Sequence, residues 1–372
     1  MVSKKIIFLV GLLILLFPFI TSAQAVDPSE EIFEAKVIEV LEEKYSEEGS
    51  GEILGQKLKL RALEGSWQDQ EIIFDGTQEE LVARRIYKKG DKVVVSYTQG
   101  IEGEDLFFVM NYVRRTKIYI LALIFILVAI LIGRWKGIRA LIGLAVSLLV
   151  ILKFIVPRIL AGSNPLFITI IGSVILLAFT LYFVHGLNRK TTAAVLGVFL
   201  SLIVTGFLAI IFINAAKLMG FVSEEIFYLA ISTDFTLNTQ GILLAGVIIG
   251  ALGVLADVTI SQSSTCEQIY DLNPNLKIKE VYRRGMKVGV DHVASMINTL
   301  VLAYTGSALG LLLLFSLDSS LYLAEGFRQV INNEQIATEI VRMLVGSIGL
   351  ILAVPITTFI ASYIFKKKKK VD

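Results

Sequence analysis

Apolar positions in this chain come in two arrangements. From Val26 to Thr116 they alternate with polar ones. Lys57-Leu58-Lys59-Leu60-Arg61 changes character at every residue, as a half-buried strand does, because successive side chains point to opposite faces. Glu71-Ile72-Ile73-Phe74 runs into the turn pair Asp75-Gly76. Lys88-Lys89-Gly90-Asp91 is a second turn, followed by Lys92-Val93-Val94-Val95, and Asp105 to Val113 supplies a further apolar strand. The pattern predicts five or six short strands and a small all-β domain over residues 26–116, OB-like and barrel-shaped. Its scattered Lys and Glu read as the solvated face of those strands.

After residue 116 the apolar residues run together. Long stretches cover 118–133, 138–157, 166–185, 192–213, 241–260, 292–316 and 339–365. Each is close to the roughly 17–25 residues that a membrane-spanning helix needs, the first being the shortest. In hydrocarbon every backbone polar group must pair within its own segment, so the stretches are read as helices. The predicted fold is an α-helical integral membrane protein, with seven transmembrane helices over residues 117–372 and the small β domain ahead of them.

The start of the chain sets a direction. Lys4 and Lys5 precede the apolar run Ile6 to Ile20, and Thr21-Ser22-Ala23-Gln24-Ala25 has small residues where cleavage after Ala25 requires them. Residues 1–25 read as a secretory signal peptide, with an uncleaved anchor as the alternative. In both cases residues 26–116 are expected outside the cytoplasm. Basic residues agree. Arg134, Lys136 and Arg139; Arg189 and Lys190; Lys277, Lys279, Arg283, Arg284 and Lys287; and Lys366 to Lys370 fall in the loops and tail expected inside. The outer side has Arg114, Arg115, Lys117, Arg158, Lys217 and Arg328. That excess predicts an N-out, C-in, multi-pass protein of the cell membrane with a cytoplasmic C-terminus. The lysine run at the end anchors the last helix and attracts anionic headgroups.

Composition narrows the functional classes. Of 372 residues, 55% are hydrophobic and 18% charged, against about 45–50% and about 25% in soluble domains; the mean hydropathy is +0.73. A net charge of +2 excludes a large nucleic-acid surface. The single cysteine, Cys266, allows neither an intrachain disulfide nor a cysteine zinc cage. No metal and no cofactor is expected. The chain has no HExxH, GxSxG or phosphate-binding loop, and Cys266 beside Glu267 has only His292 to serve as a base. The chain is therefore not expected to be an enzyme.

The remaining chemistry lies in polar residues within or next to the spans, where ionisable groups are costly and are retained for a job. In the fifth span Gly246, Gly250 and Gly253 form a small-residue face, read first as helix packing. Asp257 follows, with Ser261, Ser264 and Thr265 on one helical face. A carboxylate backed by hydroxyls suits a cation or proton relay, and the competing reading is a capping cluster at the end of the span. The sixth span opens with Asp291-His292, and Asp291, Ser295, Asn298 and Thr305 share a face. A histidine near a carboxylate titrates close to neutrality, whereas Asp291 alone would complement a helix N-terminus. Asp257, Asp291 and His292 are expected to converge near the inner side, with Ser261 and Asn298 completing an ion, proton or substrate site. Glu339 and Arg342 are spaced for a local ion pair. Pro355 followed by Thr357 and Thr358 predicts a kink with hydroxyls able to serve freed carbonyls. Between the fourth and fifth spans, Ile226 to Ile231 predicts an interfacial helix.

Gly250-Ala-Leu-Gly-Val-Leu-Ala-Asp257-Val-Thr-Ile-Ser261-Gln-Ser263, Gly285-Met-Lys-Val-Gly289, and Asp291-His292 ahead of Asn298-Thr299-Leu300 resemble the YibE/F-like family of bacterial multi-spanning membrane proteins. The resemblance implies the topology and a bacterial cell membrane. It brings no substrate and no catalytic residues to carry over. The expected function is a permease or transporter of a small solute or ion. The alternative is a membrane-anchored sensor or scaffold whose β domain binds a membrane or extracytoplasmic protein partner.

Overall fold

The structure, a computed structural model, describes residues 30–45, 53–77, 86–100, 103–221, 224–232, 237–317 and 331–366. The expected signal segment and the lysines beyond Lys366 lie outside them. The chain divides into two compact units, Met1–Val128 and Ala129–Asp372.

In the first unit five strands form one antiparallel sheet in the order β3-β2-β1-β4-β5. They are β1 Glu30–Tyr45, β2 Ile53–Ala62, β3 Glu71–Asp75, β4 Lys92–Gln99 and β5 Asp105–Tyr112. The 16-residue β1 is longer than expected. Its first half pairs with β4 and its second with β2, and register shifts after Val37, Val40 and Lys44 bend it. The sheet curls into a half-barrel around Phe33, Ala35, Val37, Leu58, Leu60, Ala62, Phe74, Val93 and Val95. The alternation of β2 is borne out: Leu58 and Leu60 face in. Outside, Lys57 meets Asp75 at 3.0 Å, and Lys59 and Arg61 meet Glu71 at 2.7 and 3.0 Å. Exposed pairs of this kind stabilise little. They do fix register, because a one-residue slip would turn the lysines inward. Gly90 makes its turn at φ +99°, a conformation open to a residue without Cβ.

Beyond the sheet most of the described residues are helical. The helices are α1 Arg115–Val150, a π-helical turn Ile151–Ile155, α2 Val156–Leu160, α3 Pro165–His185, α4 Arg189–Ala215, α5 Glu224–Ser232, α6 Thr239–Leu272, α7 Ile278–Ser307, α8 Leu309–Leu317 and α9 Glu334–Lys366. Four begin on an asparagine cap. Asn164, Asn188, Asn238 and Asn333 each accept a backbone N–H of the first turn through Oδ1, satisfying a donor that the helix cannot.

Five helical stretches among the described residues are long and apolar enough to cross a membrane: Arg115–Leu160, α3, α4, α6 and α9. The seven expected runs map onto these and two irregular places. The first two merge into Arg115–Leu160, but α1 is broken at Arg134, at φ 50° and ψ −131°. A Cβ added to Gly137 would overlap the carbonyl oxygen of Ala129, although eight residues of unbroken helix span about 12 Å. The chain therefore turns back on itself there. The run 292–316 is split at Ala308, which ends α7 before α8 begins. The helix expected at Ile226 to Ile231 is α5.

The core of the second unit joins α4, α6 and α9, with α3 against α6. Leu176 and Leu181 of α3, Val198 of α4, Leu252 and Leu255 of α6, and Leu350 and Val354 of α9 fill it. Close backbone approach makes this packing possible. A Cβ on Gly197 would collide with the Thr357 hydroxyl, and one on Gly349 with that of Thr205. The outward faces carry large apolar side chains such as Phe199, Ile203 and Phe207. Glu339 and Arg342 pair at 3.3 Å as spaced. Around Pro355, Thr358 donates to the Val354 carbonyl at 2.6 Å, while the Thr357 hydroxyl has no partner among the described residues.

On the sheet, the Thr77 hydroxyl and amide and the Lys57 ammonium all serve Asp75 and hold its carboxyl at about 2, below its usual value of 3.8. A carboxyl depressed in the folded state contributes stability above its unfolded value, and loses it as pH falls through the folded one. The sheet's resistance to urea should therefore fall between pH 4 and about 2, and Asp75→Asn should flatten that part of the profile.

Candidate functional site

Helix α6 has one face unlike the others. Gly246, Gly250, Gly253, Asp257, Ser261 and Ser264 recur at intervals of four and three, and this eleven-residue period stays on one side of a nearly straight helix. The first five are exposed and Ser264 is half-buried, while Val247, Ile248, Leu255, Val258 and Gln262 behind them are buried. Among the described residues, a Cβ added at Gly246 or Gly253 would meet no atom within 4 Å, and one at Gly250 only the Tyr304 hydroxyl, at 3.4 Å. Only Tyr304 of α7 reaches over this glycine face among the described residues. Its glycines leave a shallow open strip that leads to a carboxylate.

The close packing is found on α7 instead. Gln262, 4% exposed, donates through Nε2 to the Gly285 carbonyl and to the Thr358 hydroxyl, both at 2.8 Å. One amide thus joins α6, α7 and α9. Gly285 faces Cys266 and Thr358, where a Cβ would sit tightly at 3.0 Å from each, and Gly289 faces Val354 and Gln262, with Val354 too near for a side chain. Gly285 and Gly289, four residues apart, are the small pair that lets the helices touch. Ser263 donates to the Lys190 carbonyl at 2.9 Å, and Lys190 pairs with Glu267 at 3.1 Å, so the same end of α6 is also tied to the start of α4.

The residues expected to converge are distributed as follows. Asp257 and Ser261 lie on the open α6 face. Among the described residues the titratable group within electrostatic reach of Asp257 is His185, the last residue of α3, which also lies within reach of Lys190 and Lys136. Asp291 and Asn298 are exposed on α7 and His292 is half-buried. Among the described residues no hydrogen bond or ion pair joins any of the three to Asp257. Sequence reasoning missed His185 as the acid's neighbour, although the runs 166–185 and 241–260 are expected to end on one side of the membrane. It also missed Tyr304, whose hydroxyl stands over the glycine strip and near Gly346 of α9.

Two cavities lie elsewhere. One of about 250 Å³ between α3 and α4 is apolar apart from Ser173. The other, of about 420 Å³, is lined by Lys217, Asn332 and Glu334 among aliphatic side chains. Glu334 there accepts the Met219 and Gly220 amides at 2.7 and 2.9 Å. Neither cavity includes a residue of the α6 strip.

A family model described as YibE/F-like protein matches residues 121–367, more than half of the chain. The chain belongs to the YibE/F-like family. No curated protein and no solved structure matches it. With its apolar helices, this YibE/F-like chain is a membrane protein. The match covers the whole of α6 and α7, so both the open strip and the Gln262 junction belong to the family region of the chain.

The two glycine sets should respond oppositely to a methyl group. In the YibE/F-like fold, Gly289→Ala places Cβ 2.5 Å from Val354 Cγ1 and 3.0 Å from Gln262 Nε2. That overpacking is expected to cost about 1–3 kcal/mol. Gly246→Ala enters open space and should be neutral, or stabilise by up to about 1 kcal/mol through helix propensity. Thermal unfolding of the two variants in detergent measures the contrast.

Proposed function

We propose that this protein is a permease that passes a small solute or ion along the open face of α6. The carrying observation is the strip itself: three glycines and a carboxylate, exposed on a helix whose other sides are buried. Hydrocarbon is a poor neighbour for an aspartate and for bare backbone, so such a face belongs beside water or a passing solute. Asp257 is the binding or coupling group in this reading, with Ser261 supplying a hydroxyl and His185 a titratable neighbour. Asp291, His292 and Asn298 are assigned to the α7 side of the same route.

The same reading has seven spans, N-out and C-in, in the cell membrane. The break at Arg134 supports counting Arg115–Leu160 twice, since 46 residues would reach about 69 Å as one helix, more than twice the hydrocarbon thickness. The run through α7 and α8 supplies the sixth crossing despite its break. The sheet is assigned to an exported OB-like barrel. A strand β1 shared between β2 and β4, with β3 approaching β5 across the opening, supports a five-stranded Greek-key arrangement.

The test is flux. Purified protein in liposomes, loaded with a pH dye and given an ion or pH gradient, is screened against small ions and solutes. Asp257→Asn and Gly250→Leu should each lower the flux at least tenfold while leaving insertion and yield intact. Wild-type flux in both variants would remove the proposal's residue-level basis.

A further inference from the structure

We infer that the β sheet and the start of α1 form one stiff lever, locked by the Glu34–Arg115 ion pair, which carries movement of the sheet into the first membrane helix. The connection has almost no slack. Strand β5 ends at Tyr112 and α1 begins at Arg115, so only Val113 and Arg114 lie between. Val113 still donates to the Lys92 carbonyl at 2.8 Å, continuing the β4–β5 pairing, and the Lys117 and Ile118 amides both bond the Arg114 carbonyl at 3.1 Å. Arg114 itself lies 5.8 Å over the Tyr112 ring and donates to Asn111 Oδ1 at 3.1 Å. Sheet passes into helix without a residue free to swivel.

The ion pair closes the joint from a second direction. Arg115 Nη1 stands 3.0 Å from Glu34 Oε1, with the carboxylate side chain only 12% exposed and the guanidinium 59%. Glu34, near the start of β1, sits between Phe33 and Ala35, both in the sheet's core. A carboxylate this shielded needs its partner, because unpaired it would be left poorly solvated. The pair thus pins the first turn of α1 to the central strand, while the chain itself pins that turn to the edge strand β5. Two attachments on different strands resist rotation where one would not. In keeping with this, residues up to Val128 group with the sheet. The helix then continues unbroken to Gly133, and its first departure from helical geometry is Arg134. A push on the sheet is therefore delivered into the helix along the turns from Arg115 to Val128, about 21 Å.

The lever is tested in the full chain, reconstituted in lipid nanodiscs with Cys266→Ala. Spin labels are placed at Glu39→Cys and Ile124→Cys, both exposed, and pulsed dipolar spectroscopy reads the distance between them. The parent and Arg115→Lys should give one narrow distribution. Arg115→Gln and Glu34→Gln should broaden it at least twofold. Arg115 is mostly exposed, so its variants keep the test alive if a change at Glu34 prevents folding. A broad distribution in the parent overturns the lever, and so does Arg115→Gln as narrow as the parent. Arg115→Lys as broad as Arg115→Gln overturns the ion pair as its lock.

Discussion

Helices in oil gain little by burying leucine, since the lipid is as apolar as the neighbour it replaces. The bundle instead depends on backbones coming close, and on polar side chains that would be left unpaired apart. Gly197 under Thr357, Gly349 under Thr205, and Gly285 and Gly289 beside Gln262 and α9 are the places where this happens. Each joins helices distant in sequence. Gln262 is the strictest of them, because its two hydrogen bonds go to two different helices, and moving either helix strands a buried amide.

That constraint gives the open side of α6 its meaning. The helix is held on its buried sides by this dense contact, and its remaining side is stripped of side chains for three successive positions before the acid. Rigid backing and an empty front suit a surface along which something slides better than one that closes around a ligand. The Tyr304 hydroxyl narrows the strip at Gly250, and in the proposed permease it is the polar group that the solute passes there.

Much of the fold was legible. Strands β2 to β5 were visible because one buried face forces a period of two, and the salt-bridged exterior of β2 follows from the same alternation. β1 was harder, since its register shifts break that period just where it bends. The apolar stretches were readable by length, and the charges Arg134, Lys136 and Arg139 foretold the interruption in α1. Nothing comparable foretold the break at Ala308. The site was read less well. Glycines four apart on α6 and on α7 look alike in sequence; which pair is gripped depends on what approaches, and only the α7 pair meets Gln262 and α9. Asp257 was legible as an acid out of place, but its nearness to His185 depends on how α3 and α6 run past each other, which residue spacing does not encode.

The length of α6 has a consequence of its own. Its 34 residues reach about 51 Å, some 20 Å more than a bilayer's oily layer. The surplus continues through the turn 273–277 into α7, forming a helical hairpin whose tip carries the bare side chain of Leu272, 88% exposed. Such a protrusion acts as a handle. Force applied to this tip bears on both helices of the hairpin, which Gln262 ties together.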